Sequence, residues 1–283
     1  MKNTLKLSNY LFVWFFQKSE KFILSISLIV GILLLFAAGN FSQNNAYEHI
    51  AIEFRTYDLV VDYSGVGILF FLGLVTLFVS IFLQINAFYT NGKGMYTIFT
   101  LPMKKHQVFF AFFLSACAAI GLYFAVWLIA MLLLYYPVTS VYEEAASKAV
   151  LRISEEVTLR EFNTYITNGL FLAFHRSIFL SCCFPVSWIQ ALTLAGGLFL
   201  SSGAVVFAGL YNEYVFVRIG LFLVVLFGFF TAFYRGWVLF ENQLLYSSET
   251  ILPCSGVLFA AAVLLGILLI FAAVYRLKRR KDI

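Results

Sequence analysis

Residues 66–87 read VGILFFLGLVTLFVSIFLQINA, an apolar run without a single Asp, Glu, Lys, Arg or His. A helix of this length rises about 1.5 Å per residue and so crosses the roughly 30 Å of hydrocarbon in a bilayer. Moving outward from it, comparable stretches lie at approximately 22–38, 108–135, 188–210, 214–234 and 255–275. The whole chain of 283 residues is 62% hydrophobic and 12% charged, against about 45–50% apolar residues in soluble domains. The expected fold class is therefore all-α: a polytopic membrane protein with six transmembrane helices, forming a single transmembrane domain over 1–283.

Charge sets the expected orientation. Lys2, Lys6, Lys18 and Lys21 precede the first span, Lys93, Lys104 and Lys105 separate the second from the third, Arg218 follows the fourth, and RLKRRKDI closes the chain. Basic residues beside short loops stay on the cytoplasmic side, so both termini are expected inside. Lys148, Arg152, Arg160 and Arg176 fall in one long outer loop, where they weigh less on insertion. The leader before the first span is too long for a secretory signal with its short charged region, and Ala37-Ala38-Gly39 matches a cleavage site weakly, so that span is expected to be retained. The expected setting is a bacterial plasma membrane crossed several times, with membrane lipids as expected partners and no nucleic acid.

Residues 5–19, LKLSNYLFVWFFQKS, place Leu11, Phe12, Phe15 and Phe16 on a broad apolar face with Lys6, Asn9, Gln17 and Lys18 on a narrow polar strip. This pattern predicts an N-terminal interfacial helix with Trp14 at headgroup level. The outer loops at 39–65 and 136–187 are polar, and the second contains the helix-forming segment EEAASKAVLRISEEVTLREF. GLFLAFHRSIFLSCCF (169–184) is apolar but short, and Arg176 at its centre would cost about 2.5–3.5 kcal/mol to insert. It is expected to lie in the outer interface or to dip back into it. The third outer loop, 234–255, mixes aromatic and polar residues and is expected to hold short interfacial helices.

Chemical motifs are sparse. Cys117, Cys182, Cys183 and Cys254 show no CxxC pair and no metal-ligand spacing, so they read as packing residues. No metal and no catalytic residue is expected. A Walker loop, GxxxxGK[ST], is missing: Gly92-Lys93 is followed by Gly94, with Ala87 in place of the first glycine. Glu155-Glu156-Val157-Thr158-Leu159-Arg160 spells EExxxR and Phe171 to His175 spells FxxxH, which resemble motifs of the CAAX-processing intramembrane proteases. That family has a further histidine downstream and this chain has none after His175. A solvated helix with Glu156 and Arg160 paired four residues apart is favoured instead. Within the spans, Gln84, Asn86 and Ser201-Ser202 are the notable polar residues; an ion-driven carrier places an ionisable residue deep in a span, and none is expected here.

Between the second and third spans stands NGKGMYTIFTLPMKKHQ (91–107). Met95, Ile98 and Phe99 share a face at i, i+3 and i+4, Gly92 and Gly94 free the start, and Pro102 ends the helix by disfavouring α geometry at Leu101. Lys104, Lys105 and His106 then mark the membrane entry. With Gly94, Leu101, Pro102, Lys104 and Lys105 in this order, the chain resembles a permease subunit of the type-2 ABC exporters. It departs from the usual pattern at Thr90-Asn91, where an acidic residue often stands, and at Phe112, where a lysine often stands.

The resemblance implies that 94–105 is a cytoplasmic coupling helix docking into separate ATPase subunits. It further implies a second permease copy or paralogue, giving a homo- or heterodimer. ATP and Mg would be bound by the partners, with no cofactor in this chain. The exported substrate would be a lipid, peptide antibiotic, drug or polysaccharide. Two other classes stand beside this reading: the intramembrane protease, and a bacteriocin-immunity protein or membrane scaffold without an ATPase.

Overall fold

The computed structural model describes residues 2–45, 57–90, 98, 100–101, 103–153, 169–184 and 188–210, and helix is the only regular structure among them. Three stretches among these are long and apolar enough to cross a membrane: Asn3–Ala38, Val66–Phe88 and His106–Ser140. They carry the first three expected spans. The fourth coincides with helix Trp188–Leu210, whose apolar part is the shorter stretch Leu194–Leu210. The fifth and sixth, the 234–255 loop and the basic tail lie outside the described residues.

The chain begins with α1 (Lys2–Phe15), a π-helical turn (Phe16–Glu20) and α2 (Lys21–Asn45). Backbone angles stay α-helical across both joints, at Phe15 (φ −58°, ψ −48°) and Lys21 (φ −56°, ψ −37°). The separate interfacial helix expected over 5–19 is therefore continuous with the first span, a rod of roughly 65 Å at 1.5 Å per residue. The physical reason lies in two places. FQKSE contains neither Gly nor Pro to turn the chain. Leu11 and Phe15 are fully buried in protein while Phe12 and Phe16 are half-buried, so packing covers part of the apolar face.

One further short helix and a turn fill the end of what the sequence suggested was polar loop. α3 (Tyr57–Tyr63) buries Tyr57, Val60 and Val61. Gly65, at φ +76°, supplies the left-handed residue that reverses the chain, and α4 (Val66–Thr90) follows at once. Ser64 stabilises the corner by donating to Val61 O (2.8 Å) and accepting from the Val66 N–H (3.3 Å).

α5 runs from Lys105 to Ile153, 49 residues, or about 73 Å. It passes the expected end of the third span at 135 because EEAASKAVLRI is rich in strong helix formers. Pro137 lies inside it and removes one backbone donor, the partner of the Leu133 carbonyl. Two residues on, the Thr139 hydroxyl donates to Tyr135 O (2.7 Å). Residues 169–184 form α6 (Leu170–Arg176) and α7 (Ile178–Cys183), broken at Ser177, whose extended backbone (φ −70°, ψ 128°) ends one helix and starts the next. The run thus makes no single crossing helix, as expected. The last described element is α8 (Trp188–Leu210).

Contacts divide the chain into two compact units: Met1–Leu24 with Leu74–Tyr123 and Ile189–Ile283, and Ser25–Gly73 with Phe124–Trp188. In the second unit Phe70 is the centre, edge-on to Phe124 (5.1 Å), Trp127 (5.6 Å) and Phe179 (5.4 Å). The Tyr57 hydroxyl donates to Met131 O (2.8 Å), and its ring meets Tyr135 at 5.2 Å. Burial first, and then Tyr135, push that phenol above its ordinary range, so it remains a donor at any physiological pH. Asp62 Oδ1 accepts from both the Ser177 hydroxyl (2.7 Å) and the Phe179 N–H (3.1 Å), joining α3 to the start of α7.

Candidate functional site

In the first unit, α1 lies against the C-terminal part of α4. Trp14 meets Phe88 at 4.2 Å between ring centroids, and Phe88 meets Phe112 of α5 at 6.2 Å. This aromatic ladder pins the end of α4 to the start of α5, the two helices between which the segment 91–104 runs. α8 joins through Phe199 on Phe113 (4.6 Å) and through Gly209, whose missing side chain admits Ile85.

Of the residues expected to dock a partner, Gly94, Met95, Phe99 and Pro102 lie outside the described residues, and Ile98, Leu101, Lys104 and the backbone of Lys105 lie within them. Ile98 is buried, 6% exposed, and holds the turn through its carbonyl, which accepts from the Leu101 N–H (3.3 Å). Leu101 is 39% exposed, an apolar side chain left on the outside of the turn. Lys104 is exposed, and its N–H donates to the Gln107 side chain (3.1 Å), the reciprocal half of a capping box that starts α5 at Lys105. A face with Ile98 turned inward thus presents Leu101 and Lys104 outward, a division that i, i+3, i+4 spacing alone did not resolve.

Other sequence candidates are dispersed. His175 is exposed at the end of α6, and Glu155 and Glu156 lie outside the described residues. Cys183 is buried and Cys117 half-buried, in keeping with packing roles, and no group of three potential metal ligands occurs among the described residues. Ser201 and Ser202, both buried, donate to Leu198 O of their own helix (3.0 and 2.7 Å), and Ser202 also pairs with the Cys117 side chain of α5.

One polar site was not foreseen. From Leu11 to Ser27 the buried residues of the first helix run Leu11, Phe15, Glu20, Leu24 and Ser27. The step from Phe15 to Glu20 is five residues where the neighbouring steps are three or four, and it falls on the π turn. That extra residue rotates Glu20, in place of Ser19, onto the buried face. Ser19 instead shares a polar cluster with α4: its hydroxyl is hydrogen-bonded to Ser80 and to Gln84 Nε2, which also donates to Ser80 (3.0 Å). Glu20 is 1% exposed and, among the described residues, neither carboxylate oxygen has a hydrogen-bond partner; nor has Gln84 Oε1. The helical stretch Asn3–Ala38 contains this glutamate, two residues ahead of the expected start of the first span at 22. Starting the first span after Lys21 hid it, and the sequence carries no mark of the π turn that turns it inward.

Comparison with protein-family models, with curated proteins and with solved structures gives no match. What the helices define is the class, a helical membrane-embedded protein.

Proposed function

We propose that this chain is the permease subunit of an ATP-driven exporter, with six spans and both termini on the cytoplasmic side of a bacterial plasma membrane. It contributes the path, while a pair of separate ATPase subunits bind ATP and Mg and a second permease copy or paralogue completes the membrane dimer. The observation that supports this most is the turn entering α5. Leu101 and Lys104 stand outward on a segment whose flanking helix ends are held by the Trp14, Phe88 and Phe112 stack. A docking element has to be exposed and stiff, so that movement of a partner is passed to the helices and not absorbed by a loop. Differential affinity of the partner for two arrangements of the dimer would then set the transport cycle.

The test is affinity isolation of the tagged chain from its native membrane, expected to bring down an ATPase. Leu101→Asp, and Phe99→Asp on the same segment, should insert normally yet lose that partner. Losing an apolar anchor costs about 2 kcal/mol at an interface, roughly thirtyfold in affinity. A wild-type chain that carries no ATPase, or variants that keep both partner and transport, would overturn the reading.

A further inference from the structure

We propose that Glu20 is a proton-binding site built into the membrane domain, its carboxyl group held neutral on the buried face of the first helix beside the Ser19, Ser80 and Gln84 cluster. The site is made by backbone geometry: the π turn Phe16–Glu20 inserts the one residue that brings this carboxyl into the interior. Such single wide turns in otherwise regular helices recur at functional positions.

The surroundings select the ligand. Among the described residues, both oxygens of Glu20 and the Oε1 of Gln84 are buried acceptors without a donor. An isolated carboxylate buried in this way costs on the order of tens of kcal/mol in the idealised limit, so the charge has to be cancelled. Of the cations on the same helix, the two nearest in sequence lie over aromatic rings, Lys18 over Trp14 (4.8 Å) and Lys21 over Phe22 (5.1 Å), while Lys2 and Lys6 stand fourteen or more residues away along the chain. α4, which packs here through Ser80 and Gln84, holds no charged side chain between Leu74 and Thr90 and only Tyr89 as a titratable one. In the same unit α5 contributes Lys105, His106, Cys117 and Tyr123, and α8 no titratable group. A proton fits this site because it cancels the charge without occupying space and turns one oxygen into a donor. Releasing it would charge the interior and favour a rearranged packing of α1 on α4, which gives this helix pair two states governed by one proton. The inference stands apart from the exporter reading, since it concerns the isolated chain.

The experiment is infrared spectroscopy of the purified full-length chain in lipid nanodiscs at neutral pH, in light and heavy water. A carbonyl band of a protonated carboxylic acid is expected, shifted in heavy water, lost in Glu20→Gln and unchanged by sodium. Glu20→Met, apolar and of similar length, provides the same assignment should the amide variant fail to fold. Absence of the band from the wild type, its survival in the variants, or its loss on adding sodium, which would make the ligand a metal cation, would each overturn the proposal.

Discussion

A β-carbon on Gly31 would lie 2.7 Å from Cη2 of Trp127 and 3.2 Å from its Cζ3. An aromatic ring carbon cannot yield as a flexible side-chain end can, so the absence of a side chain is what lets α2 and α5 approach here. Membrane helices gain association from such close packing, since lipid is as apolar as the core. Gly31→Ala should lower stability by about 1–3 kcal/mol through overpacking, read as an earlier thermal transition in detergent. Trp127→Phe in the same chain should restore part of the loss. Unchanged melting of Gly31→Ala would mean that the ring moves aside freely. At this scale sequence is a poor guide: one Gly among eighteen carries no mark of the ring it faces.

Elements were legible where hydropathy changes sharply and obscure where helix and membrane boundaries diverge. Val66–Thr90 and Trp188–Leu210 begin where the apolar runs begin. Lys2–Asn45 and Lys105–Ile153 overrun theirs, because helix propensity does not stop where apolarity does. The candidate docking turn could be located from Gly, Pro and Lys, but which side of it faces inward depended on packing. The run 169–184 was expected as one helix in the outer interface or dipping back into it, so neither its break at Ser177 nor its anchoring was legible. That anchor, Asp62, meets Ser177 and the Phe179 N–H. Asp62→Ala removes a charged acceptor from both donors and should cost about 1–3 kcal/mol, while Asp62→Asn, which keeps an oxygen in place, should cost less. Thermal unfolding of the two variants ranks them; equal melting of Asp62→Ala and wild type would show that the link carries no stability.

For the whole molecule, the six-span plan makes a prediction about sides. In intact cells, Asn45→Cys and Ser154→Cys should react with a membrane-impermeant thiol reagent, and Arg280→Cys should react only after the membrane is opened. Labelling of Arg280→Cys in sealed cells would remove an odd number of crossings from the plan. Asp62 also bears on how the molecule is made. Its partners Ser177 and Phe179 lie 115 and 117 residues further along the chain. At roughly 5–20 residues per second of synthesis, the ribosome needs some 6–23 s to supply them. The corner around Gly65, by contrast, closes on neighbours only a few residues away. The α3–α4 corner therefore leaves the translocation machinery complete in itself, and the clasp onto α7 is a late, dateable event. A pulse-labelled nascent chain truncated before residue 177 is a natural snapshot of the protein on the earlier side of it.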